Sequence, residues 1–193
     1  MMSFRPELIG QCLYDRTWAN NCNFMSSEKY RKQPNLDEFV NRYGGIYEHS
    51  PWVAEDCFVA AASVEDIHEL ATIFANCVGR AGHERKLALI RAHPDLAGKA
   101  AMSGELTEES GAEQASAGID QCTKAEYEQF QELNAQYKDK FGFPFVMAVR
   151  GSSRQDILAA FASRLNNDKQ TEFEAAINEI HKIARMRLQE SGT

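Results

Sequence analysis

Residues 89–114 read LIRAHPDLAGKAAMSGELTEESGAEQ and are the segment around which the rest of the chain is organised. A helical pattern of apolar residues opens it and is interrupted by His93-Pro94. A residue before proline is pushed out of the α region, so His93 is predicted at a helix exit in extended backbone. Glu113 and Gln114 follow near the start of the next predicted helix. A titratable ring at one helix end and a carboxylate at another could therefore face one cavity.

The rest of the chain carries helical signals of the same kind. Apolar residues recur at intervals of three and four, which places them on one face of a helix. Capping residues or a proline predict helix entries at Asn35 or Asp37, Ser50-Pro51, Ser63–Asp66, Thr107 or Ser110 (two overlapping signals), Thr123 and Ser153. Residues 143–149 (FPFVMAV) differ, because a proline inside a short apolar run disfavours a helix and predicts buried extended backbone. The predicted fold class is all-α, a single compact domain of about eight helices.

Residues 1–33 predict structure less clearly than the remainder. Helical spacing there is interrupted by polar pairs such as Asn20-Asn21, so we expect a partly helical N-terminal extension. Beyond this point the helical patterns follow one another without an internal repeat or a low-complexity tract. The predicted organisation is an extension at 1–33 and one helical domain at 34–193.

Charge and composition disfavour several classes of partner. The 193 residues include 28 acidic and 21 basic side chains, giving a net charge of −7, and 44% are hydrophobic. This composition is ordinary for a globular protein. Nucleic acids and anionic membranes bind basic surfaces, so neither is expected as the main partner. A small anionic substrate is not excluded, because one local arginine can bind it in an acidic protein. No stretch of about 18 apolar residues predicts a membrane span.

The cysteines and the termini predict a cytoplasmic protein. Five cysteines are present, an odd number without a Cys-x-x-Cys pair, which is typical of reduced, buried thiols. A catalytic cysteine is the alternative, but no activating partner is evident. The N-terminus lacks the apolar core of a secretory signal, and the C-terminal SGT is not a peroxisomal tripeptide.

His93 and Glu113 each have a structural and a functional interpretation. The His93 ring can end a helix by bonding a nearby carbonyl, or it can act as a general acid or base, since histidine titrates near neutrality. Glu113 can be the third residue of a Ser110–Glu113 capping box, or it can serve the site. Ser110 and Gln114 are four apart and share one helix face.

Arg187 is predicted to point into the protein. The last helix, expected from about Thr171 to Gln189, carries an apolar stripe of Phe173, Ala176, Ile177, Ile180, Ile183 and Ala184. Continuing that stripe by threes and fours leads to Arg187. A buried unpaired charge costs several kcal/mol, so Arg187 requires either an acidic partner within the protein or an anionic ligand.

A metal site is not predicted. His49, His93, Asp95 and Glu113 are potential ligands, but none of them has the paired-histidine spacing of a familiar metal motif. No cofactor-binding motif is visible either.

Five motifs together resemble those of one known family. They are GGIYEHSPWVAE at 44–55, HPDLAG at 93–98, LTEESGAEQASAG at 106–118, FGFPFVMAVRG at 141–151 and EIHKIARMRL at 179–188. In this order and combination they resemble the 2-oxo-4-hydroxy-4-carboxy-5-ureidoimidazoline (OHCU) decarboxylases. The resemblance covers about residues 34–190 and leaves residues 1–33 outside.

The resemblance implies an all-helical homodimer that needs no cofactor or metal. It implies the last enzymatic step from urate to (S)-allantoin, in which a small ureidoimidazoline loses CO2. By motif match, His93, Glu113 and Arg187 are the expected catalytic residues. The positions expected to line the substrate site are Pro94, Ser110, Gln114, Phe145, Val146, Met147, Ala148 and Val149. Some members of the family are peroxisomal, but the C-terminal residues favour the cytoplasm for this chain.

The expected chemistry suits these residue types. The carbon that bears the carboxylate lies beside a C=N bond, which can accept the electron pair when CO2 leaves. His93 could take the proton of the 4-hydroxyl group or deliver the proton that completes allantoin, while Glu113 and Arg187 orient the substrate. Two alternatives stay open: a non-catalytic helical binding module, and a lyase or hydrolase that acts on a related ureide.

Overall fold

A computed structural model describes residues 35–98 and 105–191 of the chain. Within these ranges the chain forms eight α-helices and one short 3-10 helix (Ile119–Gln121), and no strand. The α-helices are α1 (Leu36–Tyr43), α2 (Trp52–Ala61), α3 (Ile67–Arg80), α4 (His83–Arg91), α5 (Glu108–Ser116), α6 (Lys124–Phe141), α7 (Arg154–Arg164) and α8 (Lys169–Ser191). The predicted all-α fold is confirmed for this part of the chain. The predicted extension at 1–33 lies outside the described residues.

Most helices begin at the residues that the sequence predicts. Asn35 caps α1 by accepting hydrogen bonds from the first-turn N–H groups, the shortest at 2.7 Å from Asp37. Asp66 caps α3 in the same way. Thr123 and Ser153 form complete capping boxes at the starts of α6 and α7. These side chains satisfy N–H groups that have no partner within the helix.

The sequence predicts two overlapping starts for α5, and the structure shows the one at Thr107 and not the capping box at Ser110. The cap of α5 is Thr107, whose hydroxyl accepts a hydrogen bond from the backbone N–H of Ser110 at 3.2 Å. The helix therefore begins one turn before the position that the Ser110 capping box would give. Ser110 and Glu113 lie within it, and their side chains are free to contact the rest of the protein. At α2 the shift is one residue, since Pro51 occupies the cap position and not the first helical position.

Helix α8 occupies the centre of the domain. It contacts α3, α4 and α6, so that one face is covered along most of its length. The buried positions follow the predicted stripe and include Glu172, Phe173, Ala176, Ile180, Ile183, Ala184, Arg187 and Leu188. Arg187 is only 4% exposed, which confirms that it points inward.

The segment 143–149 crosses the protein without forming a helix, as predicted. The Phe145 ring stacks on Phe161 at 3.7 Å between centroids and anchors the segment in the aromatic core. Its backbone is held from both sides, because Arg164 donates to the Val146 carbonyl at 2.7 Å and Glu179 accepts from the Ala148 N–H at 2.9 Å. The backbone position of this segment is therefore determined by α7 and α8.

The loop after α4 is held in a strained conformation. Ala97 has φ +52°, a left-handed value that residues with a side chain rarely adopt. Its N–H donates to the Gln114 side-chain oxygen at 3.1 Å, and its carbonyl accepts from Gln131 at 2.7 Å. The neighbouring Leu96 carbonyl accepts from Asn134 at 2.8 Å. These bonds from α5 and α6 offset a strain of about 1–3 kcal/mol.

None of the helices in residues 35–98 and 105–191 has the length and apolar content needed to cross a bilayer.

Two glycines provide a test of the backbone conformation. Gly142 ends α6 with φ +81°, whereas Gly79 lies within α3 and has open space around it. We expect Gly142→Ala to lower the free energy of unfolding by about 1 kcal/mol, because alanine is strained in the left-handed region. Gly79→Ala should raise it by up to about 1 kcal/mol, because alanine favours the helix. Urea denaturation of the two variants measures both changes. If the two changes in the free energy of unfolding had the same sign, the result would contradict the left-handed conformation of Gly142 or the helical one of Gly79.

Candidate functional site

One pocket collects most of the residues that the sequence singles out. It holds about 320 Å³ of empty space, including its opening to solvent. It lies between the loop after α4, the first turns of α5, the segment 143–149 and α8. Its lining residues are His93, Pro94, Leu96, Ser110, Glu113, Gln114, Phe145, Val146, Met147, Val149 and Ile183. The lining combines apolar side chains with a few polar groups, as is common in sites for small molecules.

His93 is buried in the pocket wall with a defined tautomer. Its Nδ1 lies 3.0 Å from the carbonyl oxygen of Leu89, one turn earlier in the chain. A carbonyl can only accept, so Nδ1 carries the hydrogen and donates it. The other ring nitrogen, Nε2, then has the lone pair. The two interpretations of His93 are therefore compatible, because the bond to Leu89 also orients the ring.

Burial keeps His93 neutral. It lowers the pKa of His93 to about 4, because charging the ring away from water has a high cost. The bond to the Leu89 carbonyl and the negative charge of Glu48 act in the opposite direction but do not offset it. At neutral pH His93 is therefore a proton acceptor in the free protein.

Arg187 and Glu113 form a buried, two-pronged ion pair. Nε of Arg187 donates to one oxygen of Glu113 at 2.8 Å, and Nη2 donates to the other at 3.0 Å. This parallel geometry is the strongest that arginine makes with a carboxylate, and it requires both oxygens as acceptors. Glu113 is therefore an ionised carboxylate of fixed orientation. The sequence left open whether Arg187 pairs with an acidic residue or with an anionic ligand, and the structure shows an acidic residue.

A second carboxylate, Glu48, completes the cluster. It comes from the loop between α1 and α2, and it is among the most deeply buried residues of the described chain. Nη1 of Arg187 donates to it at 2.7 Å, while Thr107 and Ser110 donate their hydroxyl protons to it at 2.8 and 3.0 Å. Sequence reasoning missed Glu48 because a loop has no periodicity. The available signal was its place in the motif GGIYEHSPWVAE.

The opposite charges keep Arg187 and Glu48 ionised despite burial. Burial alone would lower the pKa of Arg187, but hydrogen bonds and charges of Glu113 and Glu48 raise the pKa above its ordinary value. Burial alone would raise the pKa of Glu48, but Arg187 and the bond from Thr107 lower it. Two carboxylates against one guanidinium leave one negative charge in excess.

Arg187 lies behind the pocket wall. Its five N–H groups are all directed at protein acceptors: Glu113 takes two, Glu48 takes one, and the Ser110 hydroxyl and Gly45 carbonyl take the others at 3.3 and 3.5 Å. Among the expected site residues, Arg187 and Ala148 do not line the pocket. The Arg187 guanidinium thus contacts the pocket through Glu113 and Ser110.

Gln114 has its side chain fixed by the strained loop. Its oxygen accepts the N–H of Ala97, so its amide nitrogen is the end available to a ligand. Gln114 and Glu113 are adjacent in α5 and both line the pocket, offering a donor and an acceptor on one wall.

In the part of the chain that the structure describes, no group of three or more His, Cys, Asp or Glu side chains is placed to hold a metal ion.

Sequence comparisons agree on one family. Residues 32–189 match the family model for OHCU decarboxylase. A 2-oxo-4-hydroxy-4-carboxy-5-ureidoimidazoline decarboxylase from Haloferax volcanii is 44% identical over 154 residues, which cover 80% of this chain and 89% of the relative. A uric acid degradation bifunctional protein from Bacillus subtilis is 40% identical over 158 residues, covering 81% of this chain and 31% of that longer protein.

Solved structures are similar to the same helical domain. The crystal structure of an (S)-allantoin synthase matches with a TM-score of 0.65 and 36% identity, over 82% of this chain and 51% of that one. This chain therefore spans about half the length of that protein. An OHCU decarboxylase crystallised in the presence of (S)-allantoin matches with a TM-score of 0.59 over 80% of this chain and 96% of that one. At 21% identity the second match shows the fold.

Replacing Arg187 tests whether the ion cluster stabilises the fold. Arg187→Met keeps much of the side-chain volume but leaves Glu113 and Glu48 without their cation. We expect the free energy of unfolding to fall by about 3–5 kcal/mol, the cost of orphaning a buried charge. Arg85→Met is the control, since it breaks the exposed 2.6 Å pair with Asp56 and the cation–π contact with Trp52, which together should cost no more than about 2 kcal/mol. Thermal denaturation measures both, and an unchanged Tm for Arg187→Met would contradict the interpretation.

Proposed function

The chain belongs to the OHCU decarboxylase family, and on this premise we propose that it converts 2-oxo-4-hydroxy-4-carboxy-5-ureidoimidazoline into (S)-allantoin and CO2. The observation that supports the proposal most directly is the pocket in which neutral His93 and ionised Glu113 line one small cavity. The match to an (S)-allantoin synthase supports the choice of product.

The reaction needs an electron acceptor and a proton relay. As the bond between C4 and the carboxylate breaks, its electron pair forms a C4=C5 double bond, and the neighbouring C=N pair moves to nitrogen, which takes up a proton. The 4-hydroxyl group then loses its proton as C4=O forms, and C5 gains one proton. The substrate supplies its own electron sink, so the proposed mechanism uses no metal and no organic cofactor.

His93 is the proposed proton carrier. Because it is neutral and Nδ1 is bonded to Leu89, Nε2 can accept the 4-hydroxyl proton. The imidazolium so formed is an acid and can deliver a proton to the substrate. Delivery from one wall of the pocket protonates one face of C5 and gives a single enantiomer. One positioned acid–base group of this kind contributes about 10²–10⁴ in rate.

The remaining pocket residues are proposed to bind and orient the substrate. Glu113 can accept N–H groups of the ureido chain, and Gln114 can donate to a carbonyl group. Pro94, Ser110 and the segment Phe145–Val149 shape the other walls, with Phe145, Val146, Met147 and Val149 in direct contact with the cavity. Arg187 acts on the substrate indirectly, by fixing the Glu113 carboxylate.

We also propose that the protein is a homodimer in the cytoplasm. The family resemblance suggests two-fold association, and the exposed Val59 side chain on α2 is where we expect the contact. Val59 is 94% exposed there, although α2 is apolar over most of its circumference. The cytoplasmic location is supported by the cysteines, since Cys57, Cys77 and Cys122 are free.

The activity is tested with freshly generated substrate, following optical rotation over time. We expect wild-type protein to produce dextrorotatory allantoin faster than the spontaneous reaction produces the racemate. His93→Asn should slow turnover at least about 100-fold with the fold intact, because asparagine cannot carry the proton. His68→Asn, an exposed histidine on α3, is the control and should retain full activity. Racemic product at the spontaneous rate with wild-type protein would refute the function.

Association is tested by light scattering at micromolar concentration. We expect wild-type protein to have twice the mass of the chain. Val59→Glu should give the monomer mass with unchanged helix content, because a charge buried in an apolar interface is costly. A monomeric wild-type protein would contradict the dimer, and a dimeric Val59→Glu variant would exclude this surface.

A further inference from the structure

Glu48 is the one member of the buried ion cluster whose role in the reaction has not been assigned. It does not line the pocket, yet its carboxylate accepts hydrogen bonds from Arg187, Thr107 and Ser110. We propose that Glu48 is a positioning residue for this decarboxylation, which aligns the site helix and supplies the countercharge for the protonated form of His93. The proposal rests on the function proposed above.

Glu48 fixes the helix that carries the pocket residues. Its two oxygens hold the cap residue of α5, Thr107, and the hydroxyl of Ser110 one turn later. Through Arg187 it is also linked to Glu113, which is one further turn along. Ser110 therefore contacts Glu48 directly, and Glu113 is linked to it through Arg187. Gln114 is adjacent to Glu113. A displacement of about 1 Å at such a site can cost about 100-fold in rate.

The charge of Glu48 exceeds what Arg187 needs. Glu113 already pairs with the Arg187 guanidinium through two parallel bonds and also interacts with the charge of Arg150, so Glu48 brings a further negative charge to the buried guanidinium. An excess negative charge is costly in a buried site, and it favours a positive charge that forms nearby. The proposed reaction provides one, since His93 becomes an imidazolium when it takes the hydroxyl proton.

Three charged groups in the described chain act on the His93 ring, and they are Glu48, Arg187 and His49. Glu48 favours the protonated ring, whereas Arg187 and His49 disfavour it. His49 is largely exposed and its ring lies 3.9 Å from Glu48. Glu113 lines the same pocket but is neutralised by Arg187. Glu48 is therefore the carboxylate whose negative charge favours protonation of His93. A purely structural acid would not have this effect.

The decisive variant is Glu48→Gln, which keeps the shape and removes the charge. We expect kcat to fall at least about 10-fold while KM changes less than about twofold, because Glu48 does not touch the substrate. The pKa of His93, followed by NMR of its ring, should fall by at least about half a unit, because the negative charge that favours protonation is gone. His93→Asn identifies the ring signal by its loss.

Glu126→Gln is a matched control. Glu126 also accepts from a helix-capping threonine, Thr123, and from an arginine, Arg154. It does not line the pocket. The same chemical change there should lower stability without altering kcat or the titration of His93.

A second variant, Glu48→Asp, keeps the proposal testable if Glu48→Gln fails to fold. Aspartate retains the negative charge but has a shorter reach, so it cannot hold Thr107, Ser110 and Arg187 in their present positions. We expect His93 to titrate as in wild type while kcat falls. Wild-type kcat in this variant would contradict the positioning role.

Measuring kcat and the titration of His93 together distinguishes a failure of the proposed role of Glu48 from a failure of the proposed function. An active wild-type protein whose Glu48→Gln variant keeps kcat and the His93 titration unchanged would overturn the role of Glu48. A lowered kcat with an unchanged titration would overturn the countercharge, and a lowered pKa with unchanged kcat would overturn the positioning role. If wild-type protein does not accelerate allantoin formation, the function fails, but the shift of the His93 signal still measures the coupling to Glu48.

Discussion

The buried guanidinium of Arg187 is the interaction on which the site depends. It lies near the end of the central helix α8 and joins Glu48, from the loop after α1, to Glu113, from α5. These three segments are distant in sequence, and their mutual position follows from one planar group with five fixed donors. A buried ion cluster is not an efficient source of stability, since well-packed apolar residues can do as well. Its contribution is geometric, because a guanidinium donates hydrogen bonds to carboxylates in its own plane.

A second buried cluster supports the opposite wall of the pocket. Glu172 on α8 is fully buried, pairs with Arg164 at 2.5 Å and accepts a hydrogen bond from Tyr137. The same Arg164 donates to the Val146 carbonyl and lies over the Phe145 ring at 4.5 Å. Helix α8 thus carries one ion cluster for each side of the cavity. Both walls are held to the same rigid element, which is a requirement for a pre-organised site.

Strain and desolvation are concentrated at the pocket. The left-handed Ala97 is held by Gln114, whose free amide end lines the cavity, so the strained loop and a pocket wall are stabilised together. His93 is buried a few residues earlier and kept neutral by that burial. Both features cost stability, and both are placed where an uncharged base and a fixed amide are useful to the proposed chemistry.

The helices could be predicted from the sequence, because each depends on residues that are close together in the chain. Caps at Asn35, Asp66, Thr123 and Ser153 and the apolar stripe of α8 are local patterns, and they predicted the all-α fold and the inward direction of Arg187. Where two local signals overlap, at Thr107 and Ser110, the sequence does not distinguish them, because either hydroxyl can cap a helix.

The surroundings of Arg187 and His93, in contrast, follow from tertiary packing. The partner of Arg187 depends on which carboxylates packing brings to it, and the protonation state of His93 depends on burial by segments far away in sequence. Helices follow from contacts within the chain's own neighbourhood, whereas ion pairs and pKa values follow from contacts that exist only after folding.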